Sequence, residues 1–287
     1  MRHHYSVKVG PAGFRIGSAW PQPIAALAQL YALYPKPIDL IPDFTVRLEP
    51  DTRLRQWIRP SVAIRGDFTL PDAVPMSLDH GLLAAELGMN LQMAMGQRNF
   101  LLLHAGSVER DGEVLIVTGE SGAGKSTLCA LLGETGWRFM GDEFALIEPE
   151  TGLAWAFPRP VSLKNKAVDV VRAVAGEGRM GPMMAGTPKG DIRHFIPSPE
   201  ALAAMDKPGK PALILFPRFG YARAARPMGR AEVFVRLTQA STNYVTLGER
   251  GFKALTRLVD ETPVGAIDYP DTESALSLVE ELWAARR

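Results

Sequence analysis

Val114-Leu-Ile-Val-Thr-Gly-Glu-Ser-Gly-Ala-Gly-Lys-Ser-Thr-Leu-Cys-Ala-Leu-Leu132 is the stretch whose reading decides the fold. A β-branched apolar run enters a glycine-rich turn and a leucine-rich run leaves it, which is strand, loop and helix in immediate succession. Gly119, Gly124, Lys125 and Ser126 satisfy G-x-x-x-x-G-K-[ST]. Glycines let the backbone approach an anion and take positive φ, and the free N–H groups opening the helix point at whatever sits in the loop. The segment Gly119, Glu120, Ser121, Gly122, Ala123, Gly124, Lys125, Ser126 and Thr127 therefore reads as a cradle for nucleotide phosphates. Lys125 supplies a point charge for the β- and γ-phosphates, and the Ser126 hydroxyl supplies one ligand to Mg²⁺.

Working outward, strand and helix patterns alternate on the C-terminal side, the grammar of an α/β sheet. Strands are expected at Phe100 to Ser107, Glu113 to Thr118, Trp137 to Met140, Phe144 to Ile147 and Ala212 to Phe216. Helices are expected at Lys166 to Val174, Ala231 to Ala240, Gly248 to Val259 and Thr272 to Arg287. Ala175 to Gly190 carries five glycines and two prolines, and reads as a long loop without regular structure. On the N-terminal side, Ser77 through Gln97 reads as a helix burying Leu83, Leu87, Leu91 and Met95 on one face, with Ser77 as its cap. Residues 1–75 mix short strands, one helix and proline-rich breaks. They read as a small α+β lobe ahead of a larger domain at 76–287.

Composition narrows the class. The chain has 287 residues, 46% apolar and 22% charged, enough for a sizeable core. Thirty-two basic residues face 31 acidic ones, and a net charge of +1 offers no field for steering nucleic acid. One cysteine, Cys129, makes neither an internal disulfide nor a structural zinc site. The N-terminal residues lack an apolar signal core, and apolar runs fall far short of the roughly 18 residues of a membrane span. A cytoplasmic protein without a membrane span is the expectation.

Two further residues bear on chemistry. His104 stands in Leu101-Leu-Leu-His-Ala-Gly-Ser, 15 positions before Gly119, and Asp142 follows Gly119 by 23 in Met140-Gly-Asp-Glu. Taken singly, His104 reads as a core histidine bonded to a carbonyl, and Asp142 as a turn former. Strand ends of a parallel sheet share one rim with the phosphate loop, so the two also read as a pair facing a terminal phosphate. Basic residues near a terminal phosphate are candidates for charge stabilisation: Arg159 and Lys164 in Pro158-Arg-Pro-Val-Ser-Leu-Lys164, Lys189 and Arg193 in the Thr187–His194 stretch, and Arg218. Each reads equally as a solvated surface charge.

On the spaced set His104, Gly119–Ser126 and Asp142-Glu143, the chain resembles the HPr kinase/phosphorylase family, and most closely the HPr-kinase-related kinase A proteins. The resemblance spans about Phe100 to Ile147. It implies a P-loop kinase core of the HPr kinase C-terminal domain type, transferring the γ-phosphate of ATP to a serine hydroxyl of a protein acceptor. In that pattern Asp142 is the base and a Mg²⁺ ligand, Lys125 and Ser126 keep their phosphate and metal roles, and His104 is the active-site histidine. It further implies a homo-oligomer and a small PqqD-like carrier protein as partner. The sequence departs from the pattern twice: Thr127 follows the loop's Lys-Ser where the family has an acid, and Lys166 stands where the family has a second metal-binding carboxylate. Those departures keep open a nucleotide-responsive scaffold without phosphotransfer. A kinase of a small hydroxyl compound uses the same residues.

Overall fold

Alternating burial on the strand Glu113–Thr118 explains why its apolar run is unbroken. Leu115 and Val117 enter the hydrophobic cluster on one face of a sheet, and Val114 and Ile116 enter the cluster on the other. A strand covered on both faces shows no polar alternation. The computed structural model describes residues 2–36, 41–70, 72–187 and 190–286, and the chain folds into two compact units that part after Gln97.

In the first unit, β1 (His3–Val9), β2 (Ala12–Ser18), α1 (Pro21–Leu30), β3 (Phe44–Pro50), β4 (Ser61–Gly66), β5 (Met76–Ser77) and α2 (Gly81–Gly96) follow in chain order. The five strands form one sheet in sequence order, with β2 and β3 parallel and the other pairs antiparallel. Helix α2 packs on β3 and β4. Gly88 sits so close to β3 that a Cβ there would lie 2.5 Å from Val46 Cγ1. That packing places the helix in the first unit, so the boundary between compact units falls after Gln97, whereas the sequence reading put it at 75. Ser77 precedes a short 3₁₀ turn, Leu78–His80, and makes no side-chain cap. The buried face differs in part: Leu83 is buried as expected, Leu87 and Leu91 are half-buried and Met95 is exposed, while Leu82, Ala85, Glu86, Met89, Gln92 and Met93 are also buried. Polar residues sit inside because each finds partners. The Tyr31 hydroxyl donates to Glu86 at 2.5 Å, and Gln92 accepts from the Phe68 N–H and donates to its carbonyl, both at 2.8 Å.

The second unit contains β6 (Leu101–Leu103), β7 (Ala105–Arg110), β8 (Glu113–Thr118), α3 (Lys125–Gly133), β9 (Arg138–Gly141), β10 (Ala145–Ile147), β11 (Ala154–Trp155), β12 (Val161–Lys164) and α4 (Lys166–Ala175). It continues with β13 (Met180–Thr187), β14 (Gly190–Phe195), α5 (Pro199–Ala203), β15 (Lys210–Phe219), β16 (Ala224–Pro227), α6 (Arg230–Ala240), α7 (Tyr244–Leu247), α8 (Glu249–Glu261), β17 (Val264–Tyr269) and α9 (Thr272–Ala285). Its main sheet has the order β16-β17-β15-β8-β7-β9, flanked by β11-β10-β6 and β12-β14-β13. Helices α3, α4 and α9 cover one face and α6 and α8 the other, giving a mixed α/β unit.

Two expectations are corrected here. The Phe100–Ser107 strand is two strands in different sheets, broken at His104. The glycine-rich stretch after α4 contains a 3₁₀ turn, strand β13 and the start of β14: Gly176 takes the positive φ of the turn after α4 (83°), while Gly186 near the end of β13 and Gly190 at the start of β14 take 64° and 87°. Among the described residues, no helix is long and apolar enough to cross a membrane.

Candidate functional site

Strands β8, β15 and β17 run parallel, and β7 lies antiparallel to both β8 and β9. The C-terminal ends of β8, β9, β15 and β17 and the start of β7 therefore share one rim. The glycine loop leaves β8 at that rim, with φ of +145° at Gly119, +85° at Gly122 and +90° at Gly124. Gly124 is both the residue before α3 and a close-approach point, since a Cβ there would lie 2.7 Å from Tyr269 Oη. The Tyr269 hydroxyl donates to the Ala123 carbonyl at 3.0 Å, pinning the loop to the end of β17. Ser126 and Thr127 fall in the first turn of α3, whose N–H groups have no partner within the helix.

Lys125 is only 7% exposed. Its ammonium donates to the Gly119 and Glu120 carbonyls at 2.8 and 2.9 Å. Burial pulls its pKa below the ordinary lysine value, opposed by the negative charges of Glu143 and Asp142. Two separate stretches of sequence, the loop's lysine and the acidic pair after β9, thus lie within electrostatic reach of each other. Asp142 is 9% exposed and follows Gly141, where a Cβ would lie 2.9 Å from the Phe157 carbonyl. The same aspartate adds to burial in holding the Cys129 thiol far above its usual pKa, so Cys129 is a packed neutral thiol.

His104 reaches the rim in a way the sequence reading did not foresee. It stands before the antiparallel β7 and not at the end of a parallel strand. Its N–H donates to the Ala240 carbonyl at 2.8 Å, and its carbonyl accepts from the Thr118 hydroxyl at 3.1 Å. The ring stays half exposed, with Nδ1 3.9 Å from Glu143 Oε1. An open cleft of about 810 Å³ runs from His104, Gly119 and Glu120 to Val235 and Arg236 of α6.

The basic candidates divide. Arg159 is buried, just after the Phe157 segment that packs on Gly141. Lys164 is the last residue of β12, paired with Ile192 of β14. Arg193 is committed to the Gly181 carbonyl and to Glu177, and Lys189 lies outside the described residues. Lys166 is exposed at the start of α4. Sequence reasoning gave Arg218 little weight. It is the penultimate residue of β15, feels the charge of Glu120, and donates two hydrogen bonds to Asp268 at 2.8 and 2.6 Å. No local signal joins residues 50 positions apart; only the pairing of β15 with β17 brings them together.

No protein-family model matches this chain, and no curated protein matches it in sequence. Among solved structures, the Hpr(Ser) kinase/phosphatase from Coxiella burnetii is similar over 65% of this chain and 95% of that chain, at 14% identity and a TM-score of 0.29. A likeness of that size assigns no side chain a role, and the chemistry of His104, Lys125 and Asp142 has to be read from the rim itself.

Proposed function

We propose that this chain is an ATP- and Mg²⁺-dependent kinase that transfers the γ-phosphate to a serine hydroxyl of a protein acceptor, a small PqqD-like carrier being one candidate. The observation that carries this reading is the shared rim, where the glycine loop with its buried Lys125 leaves the end of β8 and the buried Asp142 follows the end of β9. The acceptor oxygen forms its bond to the γ-phosphorus as the bond to the β–γ bridging oxygen breaks, and its proton passes to the Asp142 carboxylate. Lys125 exchanges its two carbonyl acceptors for phosphate oxygens and offsets the charge gathering on them. The cleft beside His104 and Glu120 gives the acceptor its approach, and His104 orients the acid pair through Glu143.

The donor set suits Mg²⁺ held partly by substrate. Among the described residues no group of three or more His, Cys, Asp or Glu side chains is arranged to hold a metal. Mg²⁺ commonly takes one or two carboxylates plus phosphate oxygens and waters, which Ser126 and Asp142 supplement here. When bound, the ion neutralises charge between the β- and γ-phosphates. Lys166, which stands where the HPr-kinase pattern has a second metal-binding carboxylate, favours as second reading a nucleotide-responsive protein that transfers nothing.

Labelled ATP with purified chain and candidate acceptors separates the two. Lys125→Ala is expected to abolish both nucleotide binding and transfer. Asp142→Asn is expected to keep binding and lower transfer by about 10²- to 10⁴-fold. Tight binding with no transfer to any acceptor supports the second reading, and undiminished transfer by Asp142→Asn removes the base assignment.

A further inference from the structure

Phosphate chemistry leaves one part of the rim unused. Phe219 and Tyr221, at and just beyond the end of β15, are 56% and 54% exposed, a large apolar area for two neighbouring rings beside a polar loop. They are held firmly. Between them Gly220 turns at φ +89°, and its N–H donates to the Tyr269 carbonyl at 2.9 Å. The Phe219 ring meets the Tyr269 ring edge-on at 5.9 Å, and Tyr269 in turn holds the Ala123 carbonyl. Phe219 Cβ lies 3.9 Å from where a side chain on Gly124 would begin. The Arg218 guanidinium lies 4.6 Å over the Tyr221 ring while gripped by Asp268.

We propose that Phe219 and Tyr221 form a stacking platform for the purine base of the nucleotide whose phosphates the glycine loop holds; the proposal rests on the reading of that loop as a phosphate site. Charge points to a neutral, flat partner. Arg218 and Arg226 both bond Asp268, and Arg218 also lies in the field of Glu120, so this end of the rim has little positive charge to spare for an acidic peptide or a second phosphate. Fixed aromatic faces bind a base at small cost in conformational entropy, and stacking is worth more for the larger purine surface. The chain link from β15 through Tyr269 to Ala123 sets the platform's spacing from the loop, so base and phosphates are gripped as one ligand.

Calorimetric titration of the full chain with ATP, GTP, CTP and inorganic tripolyphosphate, each with Mg²⁺, tests this. The purine triphosphates are expected to bind at least about tenfold tighter than tripolyphosphate, with CTP between. Tyr221→Ala is expected to weaken ATP about tenfold and leave tripolyphosphate unchanged, with Tyr221→Trp restoring ATP. Phe219→Leu, which keeps an apolar contact to Tyr269, is expected to show the same selectivity. Equal binding of ATP and tripolyphosphate, or equal weakening of both by Tyr221→Ala, overturns the platform and leaves the phosphate site standing. Absence of any binding by the unaltered chain overturns both.

Discussion

Two flanks of one rim hold charge in opposite ways. On the α6 side, His104 and Glu143 face each other across 3.9 Å with both side chains well exposed. On the β17 side, Arg218 and Arg226 converge on an Asp268 carboxylate that is almost fully covered, with contacts down to 2.6 Å. A long, solvent-exposed contact leaves both side chains room to move, whereas a bidentate, charge-assisted pair fixes both charge and position. Under the proposed function, the difference assigns reaction to the first flank and the holding of a ligand to the second.

Substitutions test that separation, the largest effect lying on the loose side. His104→Gln is expected to lower phosphate transfer by about 100-fold while thermal stability and nucleotide affinity stay near those of the unaltered chain. A matching loss of stability would erase the contrast between the flanks. Between them, Gly124→Ala is expected to cost about 1–2 kcal/mol from the left-handed backbone alone, and more from the contact with Tyr269 Oη at 2.7 Å. Gly122→Ala has the same backbone strain and open space around it, so denaturant unfolding is expected to rank it clearly milder.

The smallest effect belongs to the tight flank. Hydrogen bonds from Arg218 first, and from Arg226 after the opposing cost of burial, hold the Asp268 carboxyl pKa below the ordinary carboxylate range. Its stabilisation is therefore full above the unfolded carboxylate pKa and disappears as pH falls through the lower folded value. Asp268→Asn is expected to lower the Tm at neutral pH by about 2–4 °C and to flatten the decline of Tm as pH falls below about 5. Parallel acid profiles for the two proteins would show that the pair carries no net charge stabilisation.

What could be read from the sequence was local. The glycine loop was legible because its strand, its turn and its helix start lie within nineteen consecutive residues whose types each have one mechanical use. Features resting on distant partners were not. Helix α2 buries Glu86 and Gln92, so a pattern of apolar residues alone reads its buried face only in part; the hydroxyl and the backbone groups that satisfy them come from Tyr31 and Phe68. β17 was missed because Val264–Tyr269 is short and follows a proline, and its strand character comes from pairing with β15. The glycines after α4 read in sequence as one long loop, whereas Gly176 turns between α4 and a 3₁₀ turn, Gly186 lies near the end of β13 and Gly190 begins β14. Of the candidate site, Lys125 and Asp142 were linked only by the family resemblance, while Arg218, Asp268 and Tyr269 required the sheet.

The break between β6 and β7 also separates mounting from tool. At His104 the peptide is clamped from both directions, its N–H by the end of α6 and its carbonyl by Thr118, while the imidazole takes no part in that clamp and stays half open to solvent. Exchanging the ring leaves the chain's path intact, so this position accepts new chemistry, whether chosen by selection or by an experimenter, without rebuilding the scaffold around it.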